Sequence, residues 1–156
     1  MSHAREGIAQ YEGGGTMQPL TASIHYEDPN YNLTIVVRQA TAMDGMRRSA
    51  LIGQVIGLTK TQRESEDAQE LMDGLSRYWL GLAWAACRAT TVEVTAAEGE
   101  APFTRDISFE DFQQLPDALV TVWGNECMRL NPHWAPQVAD DDAGGSKQPA
   151  TTSNDG

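Results

Sequence analysis

SFEDFQQLPDALVTVWGNECMRLNPHW, from Ser108 to Trp134, is the stretch whose reading decides the fold. Ser108 is a good N-cap, and Glu110 and Asp111 place negative charge in a first turn, where the helix dipole favours it. Phe109, Phe112 and Leu115 form an apolar ridge at three-residue steps. Pro116 then interrupts, because a residue without an N–H sits badly inside a helix and well in a first turn. The pattern predicts a short helix, Phe109 to Gln114, hinged to a longer one from Pro116 to Leu130. Leu115, Leu119, Val122, Trp123, Cys127 and Leu130 share one face of the longer helix. Asn131-Pro132 ends it, since the residue before proline is pushed out of the helical region. His133-Trp134 leaves an aromatic just past the stop. Two readings compete here. The helix pair can pack on its own domain, or Trp123 and Trp134 can mark a surface that grips another protein, as aromatics are enriched in binding hot spots.

Upstream, Glu27-Asp28-Pro29-Asn30 reads as a turn. Tyr31 to Gln39, YNLTIVVRQ, is a strand candidate, β-branched and with Leu33, Ile35 and Val37 alternating with Thr34, Val36 and Arg38. Thr41 caps a helix expected from Ala42 to Gly57, weakened by Gly53 and Gly57, with Leu58 to Glu64 as a polar connection. A further helix is expected from Ser65 to Ala89, where Leu71, Leu75, Tyr78, Trp79, Leu82 and Ala86 repeat at helical steps. Its second half, with Leu80, Ala83, Trp84 and Ala85, is apolar nearly all round, which makes it central or gives it a second surface to meet. Thr91 to Thr95 reads as a short strand, and Phe103 to Ile107 as its hairpin partner. These elements predict one α+β domain, residues 21–134, with three or four helices and a short, mainly antiparallel sheet. Its expected core is Leu75, Trp79, Leu82, Leu119, Val122 and Trp123. Residues 1–20, with Gly13-Gly14-Gly15, and 135–156, with Asp140 to Asp142, are expected to be disordered.

The chain of 156 residues carries 22 acidic and 11 basic side chains, a net charge of −11. That balance disfavours nucleic acid and anionic membranes as partners. No apolar run suggests a signal peptide or a membrane span. Cytosolic chemistry is expected, with Cys87 and Cys127 as buried free thiols. No phosphate loop, dinucleotide fingerprint, nucleophile elbow or HExxH is present. His3, His25 and His133 have no neighbours at metal-ligand spacing, and the cysteines are far apart in the chain. The expectation is no catalysis, no cofactor and no metal. Arg47-Arg48, the one adjacent basic pair, reads as a solvated helix face in preference to a phosphate site.

Several features together resemble the tail assembly chaperones of long-tailed bacteriophages. They are a leading strand ending in Arg38-Gln39-Ala40-Thr41 before Ala-Met-Asp-Gly-Met-Arg-Arg, a Trp/Leu-rich middle helix with a short hairpin, and Phe112-x-x-Leu-Pro-Asp…Trp…Leu-Asn-Pro-His-Trp134. The likeness spans Leu33 to Trp134. It implies a non-enzymatic protein of the host cytoplasm that binds the tape measure protein, and possible contact with the major tail protein, while the tail tube polymerises. It also implies a longer form made by frameshifting in many members. Rival classes are a structural virion component, such as a connector or tail-completion protein, and a small acidic inhibitor that mimics nucleic acid. A homo-oligomer is compatible with each. The partner surface expected from the sequence is Trp123, Met128, Leu130 and Trp134, with Leu80 and Trp84 as the fallback.

Overall fold

The structure, a computed structural model, describes residues 19–135. In chain order they form β1 (Thr21–Asp28), β2 (Tyr31–Arg38), α1 (Ala42–Arg63), α2 (Ala68–Thr90), β3 (Thr91–Ala96), α3 (Phe109–Phe112) and α4 (Asp117–Leu130), followed by a 3₁₀ turn at Pro132–Trp134. This is a small α+β domain with four helices and a three-stranded antiparallel sheet in the order β1-β2-β3. The readings for the first eighteen residues and for those after Ala135 lie outside the described residues.

The sheet is one-sided. Ile24, Leu33, Ile35 and Val37 alternate inward and are buried, while Thr21, Ser23, His25 and Glu27 of β1 point outward. Such alternation is what an antiparallel sheet with one solvated face requires. Asp28 closes the β1–β2 turn by accepting the N–H groups of Asn30 at 2.7 Å and Tyr31 at 2.8 Å. Its carboxyl also takes the Tyr26 hydroxyl at 2.6 Å, and these bonds hold it below the usual carboxylate range. β1 itself was missed in the sequence, because its inward residues Ala22, Ile24 and Tyr26 alternate too weakly to stand out from a loop.

The expected hairpin of β3 with Phe103–Ile107 is corrected: β3 pairs with β2, and a bulge lies between Val36 and Val37. Residues 97–108 form no strand because their groups are committed elsewhere. Gly99 turns the chain with φ +73°, the Phe103 ring stacks on Trp123, and the Ile107 carbonyl accepts from Trp84 and Arg88. α1 is also longer than expected. It passes both glycines and the predicted connection to reach Arg63. Packing of Leu51, Val55 and Thr59 against α2 outweighs the helix cost of Gly53 and Gly57, about 1 kcal/mol each.

α1 and α2 form a close helical hairpin. Glycine decides how close. A Cβ at Gly81 would lie 2.3 Å from a Val55 methyl, and one at Gly74 would lie 2.5 Å from the Gln62 Cβ. The start of α1 is fixed by Asp44, whose buried carboxylate completes a capping box with Thr41 and accepts from Arg38 and Arg47. Burial alone would raise its pKa, but the Thr41 N–H and the Arg38 guanidinium outweigh that and hold the carboxyl low.

The core has a different membership from the one expected. Leu119 and Trp123 are fully buried, but Trp79 is 53% exposed, Val122 42% and Leu75 38%, and Leu82 is half-buried. What enters the core is instead the second half of α2, where the consecutive residues Trp84, Ala85, Ala86 and Cys87 are buried on all sides of the helix. Gly74 and Gly81 let α2 come close to α1, while Met72, Leu75 and Trp79 of its first half are exposed. Cys87 and Cys127 are distant in sequence but meet as neighbouring buried free thiols, and burial pushes the Cys87 thiol up.

Candidate functional site

The chain exit after α4 builds the site. Asn131 is fully buried, and its side-chain amide is a staple. Oδ1 accepts the Ala40 N–H at 2.7 Å, and Nδ2 donates to the Arg38 carbonyl at 3.3 Å and the Cys127 carbonyl at 3.1 Å. The end of α4 is thereby tied to the segment that leads into α1. Pro132 then opens the 3₁₀ turn, and the Trp134 N–H returns to the Asn131 carbonyl at 2.9 Å. This turn lays the Trp134 ring beside α1, where the Arg48 guanidinium stacks over it at 4.7 Å from the ring centroid.

The result is a wall at one end of a groove between α2 and α4. The groove has a volume of ≈ 420 Å³. Trp79, Leu80, Leu82 and Ala83 line it from α2, and Val120, Thr121, Gly124 and Met128 from α4. Ala83 and Gly124 make the floor, since a Cβ at Gly124 would only just touch that of Ala83 at 3.8 Å. Asp117 lies at the far end from Arg48 and Trp134, at the start of α4. Asp117 and Met128 are eleven residues apart, so the groove follows α4 for about 16 Å, or three helical turns.

The structure divides the six residues expected to meet a partner. Leu80, Met128 and Trp134 come together on the groove, each half-buried. Trp123, Leu130 and Trp84 are corrected to core positions. Trp123 is 0% exposed and donates its indole N–H to Thr91 Oγ1 at 2.9 Å, and Trp84 donates to the Ile107 carbonyl at 2.9 Å. Their polar edges are satisfied inside, so neither presents a surface. Sequence reasoning missed Trp79, Val120, Gly124 and Arg48. Trp79 was assigned to the core by its periodicity, and Arg48 was read as solvated; no local pattern indicated that α1 would deliver Arg48 to the end of α4.

Among the described residues no group of three or more His, Cys, Asp or Glu side chains could hold a metal ion, and no helix is long and apolar enough to cross a membrane. The fold and groove define a small α+β domain with an open apolar trough of helical length. Compared with known proteins, the chain matches no family model, no curated protein and no solved structure.

Proposed function

We propose that this protein is a non-enzymatic assembly chaperone of the host cytoplasm, whose groove between α2 and α4 holds an amphipathic helix of a long partner, the tape measure protein of a bacteriophage tail. The observation that carries the reading is the groove: an open apolar trough of helical length, edged by Trp79, Met128 and Trp134, on a chain of net charge −11. An apolar helix needs a trough of this shape, and its partner needs charge to keep the pair in solution. Methionine adds adaptability where many successive helical segments must be held in turn. The resemblance carried by Asn131-Pro132-His133-Trp134 supports the same reading, because this is the segment that closes the groove.

The test is co-expression with the tape measure protein proposed as its partner. The wild-type chain should hold it in the soluble fraction. A Leu80→Glu, Met128→Glu double variant should keep its circular dichroism spectrum but let the partner precipitate. Equal partner solubility with the folded double variant would remove the groove from the function, and a wild-type chain that never retains the partner would remove the chaperone reading.

A further inference from the structure

Arg48 is the one arginine among the described residues that lacks a polar partner. Arg38 and Arg47 pair with Asp44, and Arg129 with Glu126. Arg63 bonds Thr59 and the Ile56 carbonyl, and Arg77 bonds Gln62 and Gln113. Arg88 and Arg105 lie near Asp106. Among the described residues Arg48 meets only the face of Trp134, and its Nε is buried without an acceptor there. The chain has 22 acidic side chains against 11 basic ones, so an arginine left without a carboxylate is out of keeping with its surroundings.

Its position gives this a meaning. Arg48 stands at the Trp134 end of the groove, and Asp117 at the other. The trough is therefore mainly apolar, with Thr121 and Asn125 as its uncharged polar members, and charged with opposite sign at its two ends. A partly desolvated cation without a counter-ion is costly, and a ligand carboxylate would supply both the missing charge and an acceptor. Burial already draws the guanidinium's pKa below its ordinary value, yet an arginine stays cationic at neutral pH.

We infer that the groove selects an amphipathic helix that carries a carboxylate at one end of its apolar stripe, and that Arg48, braced on Trp134, receives this carboxylate. The inference rests on the groove reading above and adds to it a charge preference and an orientation. The helix lies with its acidic end against Trp134 and its other end at Asp117, where a basic side chain is favoured.

Three synthetic helices of about 16 residues, the length of the trough plus one turn, test this. They share one leucine stripe and differ only at its last edge position, which is Glu, Gln or Lys. Titration calorimetry at low salt should rank them Glu, Gln, Lys, with Glu on the order of tenfold tighter than Lys. The gap should narrow as salt rises. Arg48→Gln should collapse the Glu-to-Lys ratio to within about twofold, and Arg48→Lys should restore part of it. The ranking in the wild-type protein needs no variant, so it stands even if Arg48→Gln does not fold. Equal affinity for the three helices in wild-type protein would overturn the charge preference and leave the groove reading standing. Binding of none of them would overturn both.

Discussion

Trp84 and Trp123 on one side of the α2–α4 pair, and Trp79 and Trp134 on the other, show two uses of the same side chain. The first two are sealed in the core and donate their indole N–H groups to Ile107 and Thr91. Phe109 packs on Trp84, and Phe103 and Phe112 on Trp123. The second two flank the groove, and among the described residues neither indole N–H has an acceptor. Trp79 meets Tyr78 edge-on and Trp134 lies under Arg48. A buried tryptophan with a satisfied N–H specifies the fold. A partly exposed one on an apolar trough adds nothing of that kind to the core, and it is the surface that the proposed helical partner would cover.

Substitution can break this contrast. The largest effect is expected on the core side: Trp123→Ala should lower the unfolding free energy by about 3 to 5 kcal/mol, and Trp84→Ala by a similar amount. Urea unfolding monitored by circular dichroism measures both, and a loss under about 1 kcal/mol at Trp123 would contradict its place in the core.

Next comes the hairpin that sets where the groove wall stands. Gly81→Ala drives a methyl into Val55 and should cost about 1 to 3 kcal/mol as α1 and α2 are forced apart. The double variant Gly81→Ala, Val55→Ala should recover part of that loss, because the clash is with the Val55 methyls themselves. No recovery would mean that the backbones, not these side chains, set the spacing.

On the groove side the cost should be smaller. Trp134→Ala removes a half-buried ring and one cation–π contact, so about 1 kcal/mol is expected. The helix-binding ability should fall far more than the stability does. A large drop in melting temperature with binding intact would reverse the comparison and place Trp134 with the core tryptophans.

The smallest effect carries the opposite sign. Gly124→Ala puts a methyl at ordinary contact distance from Ala83 and raises helix propensity in α4, so a gain of up to about 1 kcal/mol is expected. The same methyl raises the groove floor. A variant that is more stable and binds a helix less well would show that the trough is kept open at the expense of stability.

The amino-acid sequence by itself determined the class of the domain and most of its elements. Ser108, Pro116 and Asn131-Pro132 mark helix limits through local chemistry, by capping, by the absence of an N–H and by the restriction before proline. The alternation of Leu33, Ile35 and Val37 announces β2 in the same local way. Three groove residues, Leu80, Met128 and Trp134, were also within reach of that reasoning. Tertiary structure alone decided the rest. Helical periodicity gave α2 an apolar side through Leu75 and Trp79, but the buried Trp84 lies half a helical circumference away from Leu75. Trp84 is held in the core by groups distant in sequence, the Phe109 ring and the Ile107 carbonyl. Strand partners likewise depend on what lies beside an edge, so β3 found β2 rather than the next segment in the chain. Asn131 looked like a stop signal, and its burial against Ala40 and Arg38 could not be read from its neighbours. That long-range bond brings Trp134 to Arg48, and it does so because a buried amide must find partners wherever the fold supplies them.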